Sequence, residues 1–280
     1  MDRDTRRQDD SNARRLIEAG SNLAGTTGAA TLGVIFGAGA SGSASIGVVG
    51  AGVALASILR EVGERLLGRR EQMRVGGTAI FAARAYQERT TAGHHLRNDN
   101  WFEERPHGRS IAAEICEGTL LIAQREHEER KIEFYGYLLA NISFEPSVDE
   151  YLANWLLQIA DQLTWSQLVL LTVIGRKDEF TLPSIKIGDF DGDWTSWGLH
   201  RQLANLGYGQ RDLIGVPRPV PKNKPAAGTF NIPQINLSLP DQELVNAGAW
   251  LYPLMWLDRI PTADIELFIE LLQTSNEAND

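Results

Sequence analysis

Three features of the sequence point to a mainly α-helical protein. Long proline-free stretches carry apolar residues at helical spacing, two Ser/Thr-x-x-Glu/Gln boxes open helices, and residues 147–280 follow the order helix, helix, helix, two strands around a loop, helix. That order is the one a winged-helix-like domain has. The expected architecture is a charged tail over residues 1–20, a Gly/Ala-rich apolar segment over 21–59, a helical domain over 60–146 and a C-terminal winged-helix-like domain over 147–280. With 280 residues, 43% of them hydrophobic, the chain can bury a substantial core. A net charge of -9 argues against a protein whose main task is coating nucleic acid, which needs clustered Lys and Arg, although a local basic patch is compatible with it. The single cysteine, Cys116, lies in an apolar run, so one chain cannot build a disulfide framework or a thiolate metal site. That fits a reducing compartment.

Taken in order, the helical pattern begins after Arg60. Residues 73–94 lack proline and read as one helix. Residues 111–144 form a second long segment, in which Ile115, Leu120, Ile122, Ile132, Tyr135, Leu138, Leu139 and Ile142 recur at mostly helical spacing. The charged stretch REHEERK in its middle reads as a solvated turn or as a polar contact between helices. Ser147 with Glu150 matches a capping box ahead of a helix with Tyr151, Leu152, Trp155, Leu156 and Ile159 on one face. Thr164 with Gln167 matches another, for a helix ending near Gly175. TLPSIKIGDFDGDW reads as a short strand and turns. A helix over residues 196–206 places Leu199, Leu203 and Leu206 in register and stops at Gly207. Residues 213–216 and 232–239 are strand-like, separated by the loop PRPVPKNKPAAG, and helices from Asp241 and Thr262 follow.

The front of the chain has the strongest bias. From Ala19 to Leu59 no residue is charged, and nine of the 27 glycines lie between Gly25 and Gly52. In a chain with 22% charged residues, such a run arises by chance with a probability on the order of 10⁻⁵ to 10⁻⁴, so the composition is selected. GAGASG matches G-x-G-x-x-G, with Thr31 to Phe36 as the preceding strand and Glu61 placed 22 residues after Gly39. The helix behind it would carry three further glycines and no polar face, and no further βα unit follows; a dinucleotide fold is therefore disfavoured, and no cofactor is expected.

A membrane segment explains more of the same letters. Hydrocarbon demands an internally satisfied backbone, and small residues four apart let helices approach closely. Ala29, Gly33 and Gly37 form one such row, and Ser43, Gly47 and Ala51 a second, with Gly39 and Gly42 in the bend between them and Gly50 and Gly52 in the second arm. Arg14 and Arg15 precede the run and Arg60, Arg65, Arg69 and Arg70 follow it, which puts both ends on the cytoplasmic face of a hairpin. Each arm of about 14 to 15 residues reaches roughly 21 to 22 Å as helix, short of the roughly 30 Å hydrocarbon core. Such arms suit a segment that lies in the interface or inserts when copies gather, and a β-hairpin, whose spanning strand needs about 9 to 11 residues, is a further option. The remaining readings are a buried helical hairpin inside an oligomer, a flexible arm, or an export signal with Arg14, Arg15 and Ala38-x-Ala40, against which Glu18 and the long apolar continuation count.

Other chemistry-bearing residues support milder readings. Asp189, Asp191 and Asp193 alternate as calcium ligands do, but the glycine and glutamate positions of an EF-hand loop hold Trp194 and His200, so a turn is expected. His94 and His95 are adjacent and face apart on a helix. Glu114 and Glu117, with Cys116 and His127 nearby, lack the matching Glu-x-x-His segment of a carboxylate metal bundle and read as a solvated face, and no catalytic set is recognised. The basic loop carries Arg218, Lys222 and Lys224, with Arg211 before it and His200 and Arg201 on the preceding helix. In a winged helix these would meet nucleic-acid phosphates or a protein partner, and protein contact is favoured because GLHRQLANLGY offers few side chains that read base edges.

AAEICEGTLLIAQREHEERKIEFYGYLLANISF, LTWSQLVLLTVIG, LANLGYG and LVNAGAWLYPLM together resemble the bacterial abortive-infection proteins of the Abi-alpha type, over roughly residues 112–257. The resemblance implies a charged helix running into an LLAN-like end, a winged-helix tail with a glycine before its last helix, and a role in resisting phage. It brings no catalytic residues. The chain departs from the pattern at LVNAG, where a Leu-Thr pair is more usual, and its glycine-rich front is not covered. The expectation is a non-enzymatic antiviral-defence effector in the bacterial cytoplasm or on the cytoplasmic face of the inner membrane. Its partners would be membrane lipid, further copies of itself and a sensor protein; the alternative is a soluble winged-helix DNA-binding regulator.

Overall fold

The computed structural model describes residues 68–106, 108–187, 213–215 and 235–277. They are mainly helical and divide into two compact units. The first holds α1 (Arg69–Thr91), α2 (Ile111–Arg125), α3 (Ile132–Ile142) and α4 (Glu150–Gln162), together with residues 254–256. The second holds α5 (Trp165–Gly175), β1 (Ser184–Ile187), β2 (Ile214–Gly215), β3 (Ile235–Ser238), β4 (Glu243–Leu244), α6 (Asn246–Leu254, its last residue excepted) and α7 (Thr262–Glu277).

In the first unit α1 and α3 make the closest pairing. The buried face of α1 is rich in small side chains, Ala79, Ala82, Ala83 and Ala85, with Phe81 and Tyr86 interleaved. Across from it stands Gly136 on α3, where an added Cβ would sit 2.6 Å from the Phe81 Cβ and 2.7 Å from the Thr78 carbonyl oxygen. The two backbones approach this closely because that position has no side chain. Side chains cap the starts of α1 and α2. At α1 the Glu71 carboxylate accepts the Gly68 amide at 2.6 Å; at α2 the Ser110 hydroxyl accepts the Ala113 amide at 3.2 Å.

In the second unit α5 is buried nearly all round from Gln167 to Ile174, as befits a helix of LVLLTVI composition at the centre of a small fold. Thr164 and Gln167 form the expected capping box: the Gln167 amide donates to the Thr164 hydroxyl at 3.3 Å and the Thr164 amide to the Gln167 side chain at 3.0 Å. Thr172 donates from its hydroxyl to the Leu168 carbonyl and to that of Leu257, tying α5 to the turn ahead of α7. β1 pairs antiparallel with β3, with Ile185 opposite Leu237, and β2 pairs antiparallel with β4, with Ile214 opposite Leu244. Gly248, in the first turn of α6, admits the Leu213 carbonyl into the space a Cβ would fill, 2.1 Å away.

Several expectations are corrected. Within 111–144 the turn reading of REHEERK holds rather than one unbroken helix: the chain leaves helical geometry at Glu126 (ψ 132°) and re-enters through a 3₁₀ turn over Glu129–Lys131, giving two helices. The eight apolar positions named for the segment are all buried. α4 starts two residues later than the Ser147 box implies. Asp149 is its cap, accepting the Leu152 amide at 2.8 Å, while the Ser147 hydroxyl bonds to the Glu145 carboxylate. Its buried face is Ala153, Leu156, Leu157, Ile159 and Ala160, leaving Tyr151 85% and Trp155 44% exposed. The helix expected from Asp241 begins at Asn246, after a 3₁₀ turn (Leu239–Asp241) and β4. The strands over 213–216 and 232–239 are present at 214–215 and 235–238, but the partners described for them are β4 and β1, not each other. The helix expected over 196–206 lies outside the described residues.

Candidate functional site

The residues with the strongest sequence signals, Ala29, Gly33, Gly37, Gly39, Gly42, Gly47, Gly50 and Gly52 in the apolar run and His200, Arg201, Arg211, Arg218, Lys222 and Lys224 around the basic loop, all lie outside the described residues, as do Asp189, Asp191 and Asp193. Two buried charged centres of the first unit stand out among the described residues.

The first sits in REHEERK. Glu126 ends α2 with its side chain only 2% exposed, and its four acceptor directions are filled. Oε1 accepts the backbone amides of His127 (2.8 Å) and Glu128 (2.9 Å), and Oε2 accepts the Tyr135 hydroxyl (2.6 Å) and the Lys131 ammonium (2.5 Å). Lys131, equally buried, also donates to the Asp161 carbonyl at 3.3 Å at the end of α4, and its Nζ lies 5.3 Å from the Tyr135 ring centre. Burial by itself would raise the Glu126 carboxyl, but hydrogen bonds from Lys131, Tyr135 and the Glu128 amide outweigh it and hold the group below the usual carboxylate range. The Tyr135 hydroxyl is driven strongly upward, by burial first and then by Glu126. The polar-contact reading of REHEERK therefore holds for Glu126 and Lys131, and the solvated reading for Arg125, His127, Glu129 and Arg130, which are exposed.

Glu126, His127 and Glu128 offer ligand atoms within 4.8 Å of one another, the grouping a cation would need. Glu126 has no free lone pair to give, and His127 is 87% exposed. This centre is a structural corner joining α2, α3 and α4.

The second centre is Arg97, on the connection after α1. Its guanidinium binds both oxygens of Asp99, at 2.5 to 3.0 Å, and reaches the carbonyls of Ile142 (3.5 Å), Glu145 (3.1 Å) and Val148 (2.7 Å), while its plane lies 4.1 Å from the ring centre of buried Trp101. A cation at a helix C-terminus meets carbonyls without partners and the negative end of the dipole. The Asp99 carboxyl is held low, chiefly by its bond to Arg97. Sequence reading missed this residue, and the only local signal was Arg-x-Asp ahead of a tryptophan.

The remaining candidates resolve into ordinary roles. Glu114 pairs with Arg105 at 3.3 Å and Glu117 with Arg109 at 2.6 Å, so these carboxylates form surface ion pairs on α2. Cys116 is buried, and burial pushes its thiol up to about 12, the opposite of what a nucleophile needs. His94 and His95 are exposed. Among the described residues no nucleophile, base and orienting group come together. No family model, curated protein or solved structure matches the chain.

Proposed function

We propose that the chain is a non-enzymatic bacterial antiviral-defence effector that inserts into or permeabilises the inner membrane through residues 21–59, acting as an oligomer. One observation carries the reading: the uncharged run from Ala19 to Leu59, with small residues in four-residue rows and arginines on both flanks. Such a run has no charge to desolvate on entering lipid, where its backbone must pair internally and its rows of small residues let copies pack closely. No helix among the described residues is long and apolar enough to cross a membrane, and in this account the lipid contact belongs to residues 21–59 while the helical body holds them back. The resemblance to Abi-alpha-type proteins over residues 112–257 supports the defence role. Leakage of dye-filled vesicles by the full chain, lost on deletion of residues 21–59, is the expected result; equal leakage by both proteins would refute it.

A second reading, a soluble winged-helix DNA-binding regulator, is favoured by one feature. β1 and β3 pair although residues 188–234, with the basic loop and the helix expected before it, lie between them in sequence. It predicts duplex binding whose log-log salt slope becomes shallower by about 0.9 for each phosphate that Arg218, Lys222 or Lys224 no longer neutralises once its charge is removed.

A further inference from the structure

Residues 254–256 are a short visit of the chain to the first unit, flanked on both sides by residues of the second. Leu254 and Met255 are buried there, and Trp256 is half-buried. Several specific ties hold this visit. The Asn141 side-chain amide donates to the Leu254 carbonyl at 2.9 Å, and the same Asn141 accepts from the Arg89 Nε at 2.9 Å. The Arg89 guanidinium lies 5.7 Å from the Trp256 ring centre and 6.0 Å from that of Phe144, and the Trp256 ring packs 4.9 Å from Tyr137. Against these ties stands the backbone. Trp256 is held at φ +49°, in the left-handed region, where a bulky residue is strained.

We infer that residues 254–256 are a releasable clasp, docked on α1 and α3 by the Arg89–Asn141–Trp256 contacts. Three points distinguish a clasp from an ordinary piece of core. Its docked state is conformationally strained, so undocking relieves Trp256 as it breaks the contacts. Two of its ties, to Asn141 and to the Trp256 ring, involve Arg89, which is incompletely buried in the last turn of α1 and is therefore open to competition from solvent or a ligand. It is short enough to leave without unfolding a helix of the first unit. α1 is the first described helix after the uncharged run in sequence. The clasp stands or falls independently of the membrane reading.

Hydrogen exchange of the full-length chain tests this. In Trp256→Ala, which removes the ring but keeps a side chain in the left-handed region, a peptide covering residues 254–257 should exchange at least tenfold faster, while peptides from α3 and α5 stay within twofold of the parent. Arg89→Met should shift the same peptide in the same direction, and it decides the matter if the alanine variant does not fold. Unchanged exchange at 254–257, or loss of protection spreading through α1 and α3, would overturn the clasp.

Discussion

At the scale of single residues, the buried pair of Glu126 and Lys131 makes the sharpest energetic statement. Two desolvated charges are tolerable only while each is matched, and removing one strands the other. Lys131→Met should therefore cost about 3 to 5 kcal/mol of unfolding free energy, and adding Glu126→Gln should recover part of that loss, both read from urea titrations. The same group sets an acid limit. Because the Glu126 carboxyl is held below its ordinary value in the fold, its contribution is complete above the unfolded value of about 4.3 and fades as pH falls through the folded one. Asp99 acts in the same direction. The parent protein should lose stability below about pH 4, and Glu126→Gln, weaker at neutral pH, should show a shallower acid dependence. An acid profile of that variant parallel to the parent's would show that Glu126 does not set the limit.

At the scale of elements, caps and close approaches decide where helices begin and how near they lie. Asp149→Ala should cost about 1 kcal/mol, whereas Ser147→Ala should change stability little; the reverse order would restore the cap to Ser147. Gly136→Ala forces a Cβ against the Thr78 carbonyl and the Ala82 amide, backbone atoms that cannot swing aside, and about 1 to 3 kcal/mol or a visible rearrangement of α1 on α3 should follow. Much of this level was legible in the sequence. Apolar spacing marked the buried positions of α2 and α3, and Thr164 with Gln167 marked the start of α5 to the residue. The misses have physical reasons. Two polar residues, Ser147 and Asp149, compete for one cap, and the amphipathic pattern of α4 counts Tyr151 and Trp155 as buried although helix geometry turns them outward. The role of Arg97 depends on carbonyls more than 40 residues away, which no local pattern encodes. REHEERK left Glu126 and Lys131 open between a solvated turn and a polar contact between helices, because the groups that decide it, Tyr135 and the Asp161 carbonyl, lie outside that stretch.

At the scale of the whole molecule, the charge distribution sets the uncharged run of residues 19–59 apart from the rest of the chain, whose described centres, Glu126 with Lys131 and Arg97 with Asp99, serve structure. Function in this account is assigned to that run, so its behaviour near lipid is the decisive matter. Cys116 is buried with a raised thiol, and Cys116→Ala leaves a background in which Val48→Cys can carry an environment-sensitive fluorophore. On addition of anionic vesicles the label at position 48 should shift to the blue and become protected from an aqueous quencher. A label that keeps its water-like emission and full quenching at every vesicle and protein concentration would contradict the central claim that residues 21–59 leave water for lipid.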